Sequence, residues 1–116
     1  MAERPTRIQR KRTKGWRAPE GTVMCTRPGP LGNPWRVVRS GKQWLVVWPE
    51  GKRDRYPTQA MATRMALHTF RMWLRYPMAR ARFRVATRGA KYLACWCPLG
   101  SPCHVDVILQ EVFGDG

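Results

Sequence analysis

The densest group of reactive side chains lies near the end of the chain. Cys95-Trp96-Cys97 is followed, after five residues, by Cys103-His104, with Asp106 two positions further on. Three chemistries fit these residue types. The first is a metal site. Thiolate and imidazole are the preferred zinc ligands, and Cys95, Cys97, Cys103 and His104 supply four of them. The spacing differs from a standard finger with two paired knuckles. Alternate positions on a strand put Cys95 and Cys97 on one side. Cys103 and His104, as helix neighbours, would diverge by about 100°. A site of three protein ligands completed by water would look catalytic. The second chemistry is nucleophilic. Cys103 at a helix N-terminus would meet a dipole that favours the thiolate. His104 would then serve as base and Asp106 as its orienting partner. The third reading is structural, because cysteine is among the most buried residue types. A helix N-terminus there could still bind an anion.

A second candidate is Gly32-Asn33-Pro34-Trp35. Gly32 permits a close backbone approach, and Asn33 offers an amide donor and acceptor to a base or sugar hydroxyl. The plainer reading is that Asn before Pro is turn chemistry.

These residues need elements to position them. Thr22 to Thr26 reads as a first short strand. Three prolines keep the following segment, Pro28 to Pro34, out of regular structure. Trp35 to Arg39 and Gln43 to Trp48 read as a β-hairpin around Ser40-Gly41-Lys42. Thr58 can cap a helix running to about Arg75 and stopped by Pro77. Ala62, Ala66, Phe70 and Trp73 line one side of that helix, which reads as core. Arg64, His68, Arg71 and Arg75 line another, either solvated or facing phosphate. A second helix covers Met78 to about Thr87, with Gly89 beyond its end. Tyr92 to Cys97 reads as a buried strand. A last helix runs from about Cys103 to Phe113, burying Val105, Ile108, Leu109 and Val112. The expected fold is a small single α/β domain over residues 21–116: a short sheet, a β-hairpin and about three helices. Residues 1–20 read as a basic N-terminal arm with no sustained apolar period. Trp16 either docks that arm or stacks on a base. Ligands in such folds gather at the carboxyl ends of strands, so the pocket is expected between the 32–34 and 98–104 loops.

Composition narrows the function classes. The 116 residues suffice for one core, and 43% of them are apolar, too many for a disordered chain. No apolar run approaches 18 residues, which excludes a membrane span, and no apolar stretch follows the basic N-terminus as in a secretory signal. The expected compartment is the cytoplasm, where four cysteines stay reduced. Lys and Arg number 22 against seven acids, a net charge of +15. Such a balance suits a polyanion. The charge is uneven: residues 92–116 contain no Lys or Arg.

Three stretches in order carry a resemblance: the basic run Arg7 to Arg17 leading to Pro19-Glu20-Gly21, Gly32-Asn33-Pro34-Trp35, and Cys95-Trp-Cys-Pro…Pro-Cys-His-x-Asp-Val107. Together they resemble a family of small bacterial and phage proteins catalogued as domain of unknown function 4326. The resemblance implies a small α/β protein and brings no activity with it. By matching motifs it points to Asn33, Cys95, Cys97, Cys103, His104 and Asp106 as functional positions.

The leading expectation is binding of nucleic acid or a nucleotide, with Arg10, Lys11, Arg12, Lys14 and Arg17 supplying salt-dependent phosphate contacts and Gly32 and Asn33 the ligand loop. The alternative is an enzyme on a nucleotide or nucleoside with a thiol or zinc centre. A third class is a phage protein that binds a host protein through exposed tryptophans.

Overall fold

The computed structural model describes residues 4–27 and 29–114. Nine elements follow in order: β1 (Thr6–Gln9), β2 (Thr22–Met24), β3 (Arg36–Ser40), β4 (Gln43–Val47), β5 (Arg53–Tyr56), α1 (Gln59–Leu74), α2 (Pro77–Ala86), β6 (Tyr92–Cys95) and α3 (His104–Val112). They form a small single domain with one parallel sheet, one antiparallel sheet and three helices.

The parallel sheet has the order β1-β6-β2. Its central strand is Tyr-Leu-Ala-Cys, and Leu93, Ala94 and Cys95 are buried. A strand flanked on both sides needs such a near-continuous apolar run, as burial covers both faces. Thr6 and Thr22 both pair with Tyr92, so the three strands run in step. The pairing continues past the strand ends, with Arg10 N donating to Cys95 O and Cys25 N to Ala94 O. All three carboxyl ends therefore emerge at one edge.

This arrangement corrects the expected N-terminal arm. Residues 6–9 are a strand of the sheet, not a free segment. Arg10 and Arg12 then place their guanidinium carbons 4.4 Å from the Trp96 ring centroid, one contact each. Arg10 also donates to Thr26 Oγ1. A cation over an aromatic face is attracted by the ring quadrupole, so the basic run is fastened to the body. Trp16 is half-buried beside Ile8, Pro19 and Leu99, consistent with docking.

The second sheet has the order β3-β4-β5, antiparallel throughout. Ser40 pairs with Gln43 across Gly41-Lys42, and Gly41 has φ +62, the left-handed value that a tight two-residue connection requires. β5 is Arg-Asp-Arg-Tyr, a polar edge strand of the kind that discourages further pairing.

α1 packs on this sheet and on α3. Thr58 caps it by accepting from Met61 N, and Ala62, Ala66, Phe70 and Leu74 form the buried stripe. Four positions per step keep these side chains on one face. Leu74, not Trp73, completes that stripe. Trp73 is half-buried and packs edge-on against Trp35 and Phe83. Pro77 cannot continue α1 but suits the first turn of α2. The core gathers Phe70, Leu74, Phe83, Leu93 and Ile108 between the sheets and helices. Of the six tryptophans Trp35 is buried and the other five are half-buried.

Candidate functional site

The carboxyl edge of the parallel sheet leads β6 into the 96–102 loop and then into α3. Three thiols converge there. The sulfurs of Cys95, Cys97 and Cys103 all lie within 4.8 Å of one another. Cys95 Sγ and Cys103 Sγ are 2.9 Å apart, and no disulfide is formed. Cys95 and Cys103 are buried, while Cys97 is half-buried.

Two local features bring these residues together. β6 ends at Cys95, so Cys97 reaches the cluster from a bend and not from a continuing strand. Cys103 is the N-cap of α3, with extended backbone (φ −148, ψ 146), and its sulfur accepts from Val105 N. The helix itself begins at His104. The expected 100° divergence of helix neighbours therefore does not apply. Cys103 Sγ and His104 Nδ1 approach to 3.8 Å.

His104 is oriented from behind. Its Nε2 makes a short hydrogen bond to Cys25 O. A carbonyl can only accept, so Nε2 carries the proton and Nδ1 presents a lone pair in the neutral ring. Burial lowers the His104 pKa, partly opposed by the Cys25 carbonyl, which keeps the ring neutral at physiological pH.

Hydrogen bonding among the three thiols drives their pKa values apart. Hydrogen bonds from Cys103 and Cys95 draw the Cys97 thiol far down, against the opposing effect of burial, with help from the Arg7 charge. Cys103 is driven up by its hydrogen bonds with Cys95 and Cys97 and by burial. For Cys95 the bond with Cys103 lowers and the bond with Cys97 and burial raise, with a net rise. Cys25 is pushed up to about 12 by burial and by nearby Cys95.

The expected triad is not assembled. Cys103, placed as nucleophile from its helix position, is 2% exposed and keeps its proton. Asp106 does not orient His104. Its Oδ2 takes a hydrogen bond from Arg7 Nη1 at 2.7 Å, and Arg7 Nη2 donates to Pro98 O and Ser101 O. Arg7 thus fastens the 98–101 loop to α3. Neither its position in a basic run nor any spacing singled it out.

Asn33 serves the interior. Its Oδ1 accepts from Trp35 N at 2.9 Å, an Asx turn, and its Nδ2 donates to Ala66 O in α1. Gly32 is needed because a Cβ there would come within 2.8 Å of Arg27 N. The Gly32-Asn33 loop is therefore a structural clasp on α1. Both ends of the Asn33 amide are engaged within the protein, and the residue is buried.

A cleft beside the cysteine cluster shares one wall, the 98–102 loop, with the expected pocket. It is about 780 Å³ and runs between α1 and the 97–102 loop. Arg64, His68 and Arg71 line the helix side, with Thr63 and Leu67. Cys97, Pro98, Ser101 and Pro102 line the loop side. Three members of the basic stripe of α1, Arg64, His68 and Arg71, thus line this open concavity, while Arg75 lies outside it. Arg71 is also held by Glu111 at 2.9 Å, while Arg64 is exposed. Of the expected phosphate-contacting residues, Lys11, Arg12, Lys14 and Arg17 are exposed and Arg10 is half-buried. None of these five lines the cleft.

Among the described residues no helix is long and apolar enough to cross a membrane. Neither the curated proteins nor the solved structures compared with this chain include a match. One family model does match, over residues 8–113, which takes in the end of β1, the Asn33 loop, the cleft and the cysteine cluster. The chain belongs to the family described as domain of unknown function 4326.

Proposed function

We propose that this domain binds a nucleotide, free or within a nucleic-acid strand, in the cleft between α1 and the 97–102 loop. One observation carries the reading. Arg64, His68 and Arg71 stand on one wall of a concavity whose remaining lining includes Ala60, Leu67, Pro98 and Pro102. A flat base needs apolar surface, and its phosphate needs a cation with directed donors. Arg supplies these better than Lys. The net charge of +15 raises the local concentration of any such anion. Lys11, Arg12, Lys14 and Arg17 would then serve as outer phosphate contacts for a strand.

Isothermal titration with nucleoside monophosphates and with a short single-stranded oligonucleotide tests this. Arg64 is exposed, so Arg64→Ala leaves the fold intact. Loss of one charged hydrogen bond is expected to weaken binding by about 10-fold or more. It should also reduce the salt slope by about one. No binding by any of these ligands, or binding unchanged in Arg64→Ala, would overturn the reading.

A further inference from the structure

We propose that Cys95, Cys97, Cys103 and His104 form a closed zinc site that staples the end of β6 to the start of α3. The inference is independent of what the cleft binds.

The geometry is close to what zinc requires. Zinc holds sulfur at about 2.3 Å and nitrogen at about 2.0–2.1 Å, in a tetrahedron. Its sulfur–sulfur edges are then about 3.8 Å and its nitrogen–sulfur edges about 3.5 Å. The three sulfurs span separations from 2.9 Å to at most 4.8 Å, which bracket that edge. His104 Nδ1 already stands 3.8 Å from Cys103 Sγ. His104 Nδ1 lies outside the group of three sulfurs that are within 4.8 Å of one another, and must move toward Cys95 and Cys97 to complete the site.

The imidazole gives a second, independent argument. A histidine that ligates zinc donates its other ring N–H to a carbonyl or carboxylate, which fixes the tautomer. His104 Nε2 bonds to Cys25 O, and this leaves Nδ1 as the free donor toward the thiols. Cys25 itself stays outside the group of three thiols that could hold an ion. It contributes its carbonyl, not its sulfur.

The surrounding chain explains why a staple is useful here. The 96–102 loop contains Pro98, Gly100 and Pro102 and no regular structure. Arg7 grips its middle, at Pro98 O and Ser101 O. An ion bound by Cys95 and Cys97 at one end, and Cys103 and His104 at the other, would fix both ends. Four protein ligands leave no open position, which is the arrangement of a structural zinc. The ion would then build the loop wall of the cleft without taking part in turnover.

The test is native mass spectrometry of the full chain refolded with one equivalent of zinc, alongside cobalt(II) substitution. The expected result is one zinc per chain. The cobalt form should show thiolate-to-cobalt charge-transfer bands with tetrahedral ligand-field absorption. Cys97→Ser is half-exposed and on the loop, so it is the variant least damaging to the core. It is expected to lose about 10-fold or more in zinc affinity, since even outer-partner losses reach that scale. Cys25→Ala is expected to keep the metal. Four titratable thiols with no bound metal after refolding with zinc would overturn the proposal. So would a cobalt spectrum without thiolate bands. Should Cys97→Ser fail to fold, stoichiometry and spectrum of the unaltered chain still decide.

Discussion

Arg7 Nη1 lies 2.7 Å from Asp106 Oδ2 and joins the first strand to the last helix. The Arg7 side chain is only 9% exposed, whereas Asp106 is 45% exposed. The same guanidinium satisfies two loop carbonyls. Hydrogen bonds to a charged group are worth about 1.5–3 kcal/mol each, and a half-solvated partner lowers the yield. Arg7→Ala is expected to cost about 2–4 kcal/mol in urea denaturation. Asp106→Asn keeps an acceptor and should cost less than half of that. Deleting residues 1–17 should destabilise the whole domain, visible as a lowered melting temperature, because it removes β1.

Asn33→Ala is expected to destabilise by about 1–3 kcal/mol, the cost of leaving buried Trp35 N unpaired and of losing the tie to Ala66 O in α1. Asn33→Asp keeps the acceptor for Trp35 N but turns a donor to Ala66 O into a repelling oxygen. It should be at least as damaging. Nucleotide binding per folded molecule is expected to survive both, measured by titration below the melting temperature. A selective loss of binding in a fully folded Asn33 variant would return this loop to the ligand site.

Glu111 gives the acid limb of stability. Burial pushes its carboxyl upward, but hydrogen bonds from Arg75 and Arg71 outweigh this, and the net pKa is lowered. A carboxyl lowered in the folded state binds fewer protons there than in the unfolded chain. Its stabilisation is thus complete above the unfolded value of about 4.3 and is lost as pH falls through the folded value. Glu111→Gln should flatten that limb in urea denaturation followed from pH 6 to pH 3. An unchanged slope would show that the pair with Arg71 and Arg75 is not formed in solution.

Phe70 is fully buried, and its ring packs against those of Trp73, Phe83 and His104. Phe70→Ala is expected to cost about 3–5 kcal/mol. Phe70→Leu should cost less and still loosen His104, which zinc retention in the presence of a chelator would read.

Much of this architecture is legible in the residues alone. Thr58, the Ala62-Ala66-Phe70 spacing and Pro77 define α1 by local rules of capping, period and proline sterics. The apolar run Tyr92 to Cys95 is a buried strand for reasons equally local. β1 is different. Thr-Arg-Ile-Gln has one aliphatic residue in four and lies in a basic run, so no period marks it. Its strand state comes from pairing with β6, a distant partner. β5 is missed for the same reason, being a polar edge. In the site, the cysteine cluster is legible from its spacing. The direction of Cys103 is not, because it turns on whether that residue is the last extended position or the first helical one. The Asn33 amide likewise reads as a ligand group until α1 is known to pass beneath it.

The order of the parallel sheet also constrains how the chain acquires its shape. β6 stands between β1 and β2, yet it follows both, with Thr6 and Thr22 each awaiting Tyr92. The antiparallel trio β3-β4-β5 closes from neighbouring segments and can assemble early. During synthesis the two N-terminal strands emerge first and remain without their partner until the last quarter of the chain is made. Those strands are short, and β1 carries Arg7 and is followed directly by Arg10, Lys11 and Arg12, features that keep unpaired edges from sticking to each other. The basic run at the start of the protein therefore also acts as a safeguard for a strand that must wait.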